Sequence, residues 1–375
     1  MNFQCVTDLL EQLPKEHVPG TDCVIYYKGQ AVYRHLTGYS DIEAKKAMEP
    51  GLLFHQYSAT KPVTCAAALQ LYEKGLYGLS DPLYAYMPEF KHMYIKNGTD
   101  LIPAKRPITI RDLFTMCAGM DYNIRSQAIA NVKRETSQTV PTMALVRALA
   151  EEPLSFEPGT RWQYGLCHDV LGGLIEVVSG QTLGAYCKAH IFEPLGMQTA
   201  TYMPSAATEA LMAPLYMYQP EQERAVKISN RNVFRFGSLY ESGGAGLIAS
   251  ADDYIRFAQM LTCGGKSAAG ELILSRGTIE LMRTNQLAPS VLPSFDWPQM
   301  AGYGYGLGVR VMMDRQKCGS VGSVGEFGWG GAAGAYLLAD PEAELAAYFT
   351  QHMLGGTEDY TYPELRNRIY EAIQS

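Results

Sequence analysis

The sequence lacks the short patterns that indicate metal, nucleotide or nucleic-acid binding. It contains no His-Glu-x-x-His pair, and its seven histidines show no ligand spacing, which argues against a metal site. A net charge of -7 without a basic run gives nucleic acid nothing to bind. The glycine-rich residues 302–308 do not fit Gly-x-Gly-x-x-Gly and lead into a predicted strand rather than a helix. We therefore expect no metal, no cofactor and no nucleic-acid partner.

Cysteines and apolar residues are arranged in ways that exclude further classes of protein. The eight cysteines form no Cys-x-x-Cys pair and no regular framework, so we expect mostly buried free thiols in a reducing cytoplasm. The first residues have no basic start followed by a long apolar core, which predicts neither a signal peptide nor a transmembrane span. We expect a cytoplasmic protein that does not bind a membrane.

The composition favours a folded enzyme-sized unit. With 375 residues and 47% hydrophobic content, the chain can bury a large core. It contains no Gly-x-Ser-x-Gly, so the α/β-hydrolase fold lacks its central signal.

The motif Ser58-Ala-Thr-Lys61 is the only Ser-x-x-Lys in the chain. Residues 60–73 have helical spacing and Gly75 follows as a stop, which predicts a helix over 60–73. Residues i and i+3 share one face, so the Lys61 amine can reach the Ser58 hydroxyl at the start of that helix. Burial beside a helix N-terminus disfavours a charged lysine, and a neutral lysine can act as a base. The alternative is a capping serine followed by a solvated lysine.

Two further segments follow in order along the chain. Residues 156–166 contain a Pro158-Gly159 turn that delivers Tyr164 to the start of an apolar helix ending at Gly180. Residues 327–341 read Phe-Gly-Trp-Gly-Gly-Ala-Ala-Gly and then enter a predicted strand. Tyr164 and Trp329 are alternatively ordinary boundary or core aromatics, since this chain has 25 tyrosines.

In this order the three segments resemble the serine β-lactamase and penicillin-binding-protein superfamily, specifically its class C-like, family VIII carboxylesterase-like branch. Residues 108–119, 192–197 and 243–253 are similar to supporting segments of the same family. The resemblance covers nearly the whole chain. It implies an α+β fold of the β-lactamase/transpeptidase type: an antiparallel sheet flanked by terminal helices, an inserted mostly helical lobe, and the active site in the cleft between.

We expect one catalytic domain over residues 1–375. Residues 1–57 and 231–375 are expected to form the sheet lobe, and residues 58–230 the mostly helical lobe. The local patterns predict a hairpin turning at Lys28-Gly29, strands over 305–311, 334–339 and 345–350, and helices over 5–13 and 362–373.

The resemblance also implies the roles of individual residues. Ser58 would be the nucleophile, and Lys61 with Tyr164 would move the proton. The backbone N–H groups of Ser58 and Ala332 would form the oxyanion hole, whose donors are worth roughly 2.7–4 kcal/mol each in comparable sites.

Two departures from the family pattern point toward esters. Leu166 stands where asparagine usually helps to bind an amide carbonyl. Trp329-Gly330-Gly331 replaces Lys-Thr-Gly or His-Thr-Gly, so no cation faces a substrate carboxylate, and an apolar wall results. The glycines suit a strand whose backbone approaches the substrate closely.

Four more residues are predicted to contact the substrate. Tyr57 immediately precedes the nucleophile. His168 lies four residues after Tyr164 and either reaches the cleft or is a satisfied local histidine. The long irregular segment 284–303, which carries Phe295 and Trp297, is expected to wall the cleft and to select the acyl or alcohol group.

The function expected from these features is hydrolysis of small carboxylic esters through an acyl-enzyme on Ser58. The alternatives are a β-lactamase, a D-amino-acid peptidase, an acyltransferase, or a degenerate ligand-binding module that keeps the cleft without turnover. The partner would be a small-molecule ester or amide, and the oligomeric state, including a homo-oligomer, stays open.

Overall fold

The computed structural model describes residues 1–356 and 358–374. The α-helices of these residues are α1 (Gln4–Gln12), α2 (Thr60–Glu73), α3 (Ile110–Phe114), α4 (Gln127–Glu135), α5 (Thr142–Leu149), α6 (Cys167–Ser179), α7 (Leu183–Cys187), α8 (Glu193–Leu195), α9 (Ala206–Leu211), α10 (Ala251–Thr262), α11 (Arg276–Met282) and α12 (Glu358–Gln374).

The strands are numbered separately, also in chain order. They are β1 (Gly20–Tyr27), β2 (Gln30–Asp41), β3 (Lys46–Ala47), β4 (Leu53–His55), β5 (Tyr94–Asn97), β6 (Asp100–Pro103), β7 (Tyr216–Gln219), β8 (Arg224–Lys227), β9 (Ile248–Ser250), β10 (Tyr303–Tyr305), β11 (Arg310–Met312), β12 (Phe327–Gly328), β13 (Tyr336–Asp340), β14 (Leu345–Thr350) and β15 (Met353–Leu354).

The main sheet joins the two ends of the chain. Its strand order is β10-β11-β12-β13-β14-β1-β2-β3, and every neighbouring pair is antiparallel. β1 and β14 meet in the middle of the sheet, where Cys23 lies opposite Phe349. The predicted hairpin is confirmed, because β1 and β2 are joined by Lys28 and Gly29, both with positive φ.

Helices cover both faces of this sheet. On one face α1 and α12 bury apolar side chains against β1 and β14, including Leu9, Ile25 and Ile369. On the other face α10 packs against β1, β13 and β14. Since each strand of the sheet centre buries both of its faces, β14 is apolar throughout most of its length.

The helical block is built around α2. Twelve of its fourteen residues are buried, among them Ala66, Ala67 and Ala68, and α2 packs against α6. α2 spans the residues that the sequence predicted, and α6 ends at Gly180 in the left-handed conformation, also as predicted. The α+β architecture is therefore confirmed. We propose the predicted lobe division as well, since the main-sheet strands lie within residues 20–47 and 303–350.

Two sequence predictions of secondary structure are wrong in detail. Residues 305–311 are not one strand: β10 and β11 pair antiparallel, and Gly308 with φ of 84° lies in the turn between them. The last helix begins at Glu358 rather than at residue 362, so Pro363 lies inside it. A proline near a helix start loses only one hydrogen bond, and burial of Leu365 and Ile369 offsets that loss. No described helix combines the length and apolar character needed to cross a bilayer.

Candidate active site

The nucleophile motif lies where β4 passes into α2. Ser58 lies in a short 3-10 turn, Tyr57–Ala59, directly before the first residue of α2. The Nζ atom of Lys61 is 3.1 Å from the Ser58 Oγ atom, so the spacing of three residues brings the two groups together as predicted. Lys61 is completely buried, whereas Ser58 is half-buried and lines the catalytic cavity described below.

The buried lysine is held by more than the serine. Its Nζ donates to the backbone oxygen of Gly244 at 2.8 Å and lies 3.5 Å from the Tyr122 hydroxyl. It also lies over the ring face of Tyr164, 4.5 Å from the centroid, where the negative face of the ring attracts a cation. Three kinds of partner thus fix the amine within reach of the Ser58 hydroxyl.

A buried carboxylate supports the Gly244 segment. Asp169 on α6 accepts hydrogen bonds from the Tyr240 hydroxyl at 2.5 Å and the Ser242 hydroxyl at 2.6 Å, and its Oδ1 lies 3.4 Å from the Gly244 nitrogen. A Cβ atom at Gly243 would come within 2.3 Å of the His168 backbone oxygen. Glycine is required here because the segment runs against α6, and this contact aims the Gly244 oxygen at the lysine.

Tyr164 lies just before the first residue of α6, as the sequence predicted, but its hydroxyl has an unexpected hydrogen-bond partner. The indole Nε1 of Trp329 donates to the Tyr164 hydroxyl oxygen at 3.3 Å. The two rings also stack, with centroids 5.8 Å apart. The third motif therefore contacts the predicted proton carrier directly. The Tyr164 hydroxyl makes no hydrogen bond to Ser58 or Lys61 in this structure.

Sequence reasoning missed Tyr122. Its ring stacks on Tyr164 with centroids 5.4 Å apart, and its hydroxyl lies 3.5 Å from the lysine amine. Burial raises the pKa of Tyr122 well above its usual value, and the neighbouring Tyr164 adds to this. In the sequence, Tyr122 lies three residues after Gly119, the last residue of the segment 108–119 that resembles the family. In the structure Gly119 has a φ of 86°. A tyrosine at that place has no motif of its own.

The cavity in front of Ser58 has a volume of about 300 Å³. Tyr164, Trp297 and Trp329 form an aromatic wall, in which Trp297 meets Tyr164 edge-on at 5.1 Å. Gly330, Gly331 and Ala332 line it beside the serine. The structure thus brings together every residue of the predicted third motif with Ser58 and Tyr164.

The glycines of that motif are explained by contact with the chain before the serine. A Cβ atom at Gly331 would lie 2.1 Å from the backbone oxygen of Gln56. Any larger residue would push the strand edge away from the nucleophile. Ala332 lines the cavity, and its nitrogen makes no hydrogen bond to another described backbone group, so this N–H is available as an oxyanion donor.

The far wall of the cavity comes from α12 and the sheet, which sequence reasoning did not assign to the site. Tyr362, Glu358 and Arg366 of α12 line it, together with Arg310 of β11. Arg310 is buried in an ion pair with Glu326 at 2.8 Å. Burial raises the pKa of Glu358 to about 7, which places a titrating carboxyl in the wall. A helix at the chain end carries no motif, so only the fold shows its proximity.

Two residues expected to contact substrate lie elsewhere. Leu166 is buried at the start of α6 and faces a small depression beside Met120, so it does not line the catalytic cavity. His168 is fully buried behind α2, where its Nε2 lies 3.2 Å from the Phe114 oxygen and 3.5 Å from the Cys65 sulfur. Burial, assisted by the charge of Lys61, lowers the pKa of His168 to about 3. The prediction that Leu166 contacts the substrate is therefore wrong, and for His168 the structure agrees with the alternative of a satisfied local histidine.

The predictions that Tyr57 and Phe295 contact the substrate are also wrong, because neither residue lines the cavity. Tyr57 is buried, and its ring packs edge-on against Phe234 with centroids 6.1 Å apart instead of facing the cavity. Its φ of 44° turns the chain so that the next residue, Ser58, faces the cavity. Phe295 is buried beneath Trp162 at 4.7 Å, so it supports the wall without lining it. Of the predicted pair in segment 284–303, the structure places only Trp297 in the cavity.

The residues that the structure describes contain no group of histidine, cysteine, aspartate or glutamate that could hold a metal ion. All eight cysteines are free thiols, and five of them are buried, as the sequence predicted.

Comparisons with known proteins agree with this geometry. A family model described as Beta-lactamase matches residues 6–368. Protein Rv1367c of Mycobacterium tuberculosis is 30% identical over 348 residues, covering 89% of this chain and 86% of that protein. Esterase EstB of Burkholderia gladioli is 29% identical over 351 residues, covering 88% of this chain and 85% of that protein.

A solved structure is similar over almost the whole length. EstCE1, described as a hydrolase with promiscuous acyltransferase activity, superposes with a TM-score of 0.82 at 25% identity, covering 98% of each chain. Because the family model spans nearly all of the sequence and the fold agrees with it, the chain belongs to the beta-lactamase family and is an enzyme of that family.

Proposed function

We propose that the protein is a serine hydrolase that cleaves small carboxylic esters through an acyl-enzyme on Ser58. The observation that carries this proposal is the 3.1 Å contact between the buried Lys61 amine and the half-buried Ser58 hydroxyl at the floor of an aromatic cavity. A nucleophile within hydrogen-bond reach of a base, with that base oriented by a third group, is the arrangement that covalent catalysis requires. Here the third group is the Gly244 carbonyl.

In the first step the Ser58 oxygen attacks the ester carbonyl carbon while its proton passes to the Lys61 and Tyr164 pair. The carbonyl oxygen takes the negative charge, and the backbone N–H groups of Ser58 and Ala332 stabilise it. Collapse of this intermediate breaks the bond to the alcohol oxygen, which leaves with the proton. In the second step water attacks the acyl-enzyme, the same pair accepts its proton, and the Ser58 hydroxyl is restored as the acid departs.

The cavity favours an uncharged substrate near the serine. Trp297 and Trp329 present apolar rings beside Ser58, and the place of the usual third-motif cation is taken by an indole. The nearest arginines of the wall are already engaged, Arg310 by Glu326 and Arg366 by the Tyr303 hydroxyl at 2.5 Å. A substrate carboxylate close to the indoles would lose its hydration without a new partner.

Labelling and mutation of Ser58 test the proposal. A fluorophosphonate probe should give one adduct on Ser58, and Ser58→Ala should lose ester hydrolysis and labelling with the fold intact, at a cost of about 1 kcal/mol or less. Ser80→Ala, which changes an exposed serine far from the motif, is the matched control. An unlabelled wild-type protein would instead support a ligand-binding module without turnover.

A direct comparison of substrates separates the esterase from its closest alternatives. We expect kcat/KM for a short-chain aryl ester to exceed that for a chromogenic cephalosporin by about a hundredfold or more, on the order of 2.7 kcal/mol in transition-state binding. Equal or faster cephalosporin turnover would favour the β-lactamase, and release of D-alanine from a peptide would favour the peptidase.

Acyl transfer is the second candidate, because a similar structure is named for promiscuous acyltransferase activity and the cavity wall is largely aromatic. The acyl-enzyme would be the same, and an alcohol would replace water as the acceptor. Adding a primary alcohol to the ester assay and measuring the new ester against the free acid decides between the two outcomes.

As part of the proposal we retain a cytoplasmic location, which the eight free thiols support.

A further inference from the structure

A second cavity, of about 600 Å³, shares no lining residue with the catalytic cavity. Its wall is formed mainly by parts of residues 202–212 and 229–248, joined by His55 and Gln138. This volume is within the roughly 300–1,000 Å³ that sites for small molecules occupy in proteins. The proposed ester chemistry does not use any of these side chains.

The wall of this cavity carries a net positive charge. Arg231 and Arg235 both line it, and neither forms an ion pair with a carboxylate of the described residues. The Arg235 Nη2 donates only to the Ser238 oxygen at 3.0 Å and, weakly, to the Met203 sulfur. Arg231 is exposed and free of hydrogen bonds from its side chain within the described part of the chain. Glu209 is the one acidic side chain in the wall, and it is exposed.

Neither nearby charge neutralises this pair from behind the wall. Asp169 lies behind Tyr240 and Ser242, which line the cavity; its carboxylate accepts hydrogen bonds from their hydroxyls and forms no ion pair with either arginine. His55 donates through Nε2 to the Asn230 oxygen, and burial together with the charge of Arg235 lowers its pKa. A neutral histidine leaves the two guanidinium groups as the dominant charges.

Guanidinium groups hold carboxylates and phosphates through paired, charge-assisted hydrogen bonds. The hydroxyls of Ser229 and Ser238 in the same wall can donate to further oxygens of such a group. We propose that this cavity binds a small organic anion through a carboxylate or phosphate group, with Arg231 and Arg235 as its principal ligands.

The same segment is linked to the catalytic lysine through Tyr122. Phe234, next to Arg235, packs edge-on against Tyr122 with ring centroids 5.4 Å apart, and the Tyr122 hydroxyl lies 3.5 Å from the Lys61 amine. An anion that binds Arg231 and Arg235 also restrains Phe234, because Phe234 lies between them in the chain. Occupancy of the second cavity therefore changes ester turnover although the anion never meets the substrate.

Calorimetric titration of the full chain with succinate and, separately, inorganic phosphate tests the site at constant ionic strength. We expect one anion per chain with a Kd of about 1 mM or tighter. Binding of succinate alone assigns the site to carboxylates, and binding of phosphate alone assigns it to phosphate groups. If neither probe binds with a Kd below about 10 mM, the proposal is wrong.

Arginine variants locate the binding. Arg231→Gln should weaken the bound probe at least ~10-fold, which corresponds to the loss of about one charge-assisted hydrogen bond. Since Arg231 is exposed and makes no side-chain bond, this variant should fold normally, and a melting curve checks it. Arg235→Gln should have a similar effect. Arg276→Gln, an exposed arginine at the start of α11, is the matched control and should leave affinity unchanged.

The site is distinguished from the catalytic cavity by repeating the titration on Ser58→Ala. Affinity should not change, because Ser58 does not line the second cavity. Loss of binding in Ser58→Ala would place the anion in the catalytic cavity and overturn the proposal, whatever the outcome for ester hydrolysis.

In the wild type the saturating anion should change kcat for an aryl ester at least twofold and leave the Arg231→Gln enzyme unaffected. An unchanged kcat would refute the coupling through Phe234.

Discussion

Lys61 offers the sharpest test, because one substitution separates its role in catalysis from its cost to stability. Its side chain is completely buried, with the amine bonded to the Gly244 oxygen at 2.8 Å and the Ser58 hydroxyl at 3.1 Å. Methionine has a similar length and no branch, so Lys61→Met keeps the packing of the aliphatic stem and removes only the amine. No other buried group is displaced by this change.

The expected effect on stability is small because two contributions oppose each other. Loss of the amine leaves the Gly244 oxygen unpaired, which costs about 1–3 kcal/mol for a buried acceptor. Removing a buried amine relieves the penalty of keeping a polar group away from water, and replacing buried polar or ionic groups by apolar ones is often neutral or stabilising by about 1–4 kcal/mol. We therefore expect the free energy of unfolding of Lys61→Met to stay within about 2 kcal/mol of the wild-type value.

The expected effect on catalysis is large. A positioned general base contributes typically about 10²–10⁴-fold, so kcat for an aryl ester should fall by at least about a hundredfold. Denaturant unfolding and ester kinetics on the same preparation measure both quantities. Lys74→Met, which removes an exposed lysine at the end of α2, is the control and should leave kcat unchanged. A Lys61→Met enzyme within tenfold of wild-type kcat would refute Lys61 as the base, and a loss above about 4 kcal/mol would refute the energetic argument.

Three further predictions follow from contacts in the cavity wall. Trp329→Phe keeps an aromatic ring but removes the hydrogen bond to the Tyr164 hydroxyl, so kcat should fall by about tenfold, and much less in a Tyr164→Phe background. Trp297→Ala should change the ranking of esters of different acyl length, whereas Phe295→Ala should lower stability by roughly 3–5 kcal/mol and keep the ranking. Glu358→Gln should flatten the fall in melting temperature between about pH 5 and 8.

The sign of the Glu358 prediction follows from its proton binding. Burial raises the pKa of this carboxyl to about 7 from an ordinary value of 4.5, so between these values the native state holds a proton that the unfolded chain has released. Stability therefore falls as pH rises through that range. Glutamine cannot ionise and keeps an oxygen for the Gln351 amide, which donates to Glu358 at 3.1 Å.

Each of these predictions has an outcome that contradicts it. Equal effects of Trp329→Phe in both backgrounds would mean that the indole does not act through Tyr164. An unchanged ester ranking in Trp297→Ala would make segment 284–303 a structural support only. For Glu358, Glu371→Gln on the exposed side of the same helix is the control, and an identical pH profile for both variants would assign the titration to another group.

The sequence by itself determined the elements whose signal is local. The helical spacing after Ser58 and the following Gly75 defined α2, because helix periodicity and termination depend on neighbouring residues. The i and i+3 spacing brought Lys61 to Ser58 for the same reason. The glycine-rich third motif was also readable, although Gly331 is needed for its approach to Gln56 rather than to a substrate.

Only the tertiary structure decided which side chains face the cavity. Phe295 and Trp297 are two residues apart in one irregular segment, yet one packs beneath Trp162 and the other lines the cavity, and no period in the sequence separates them. Tyr122 and Glu358 reach the site from a loop and from the last helix, through contacts between residues 61 positions apart for Tyr122 and about 300 positions apart for Glu358. Such contacts depend on how layers pack, so a local pattern identifies the nucleophile and its base, while the fold alone shows what surrounds them.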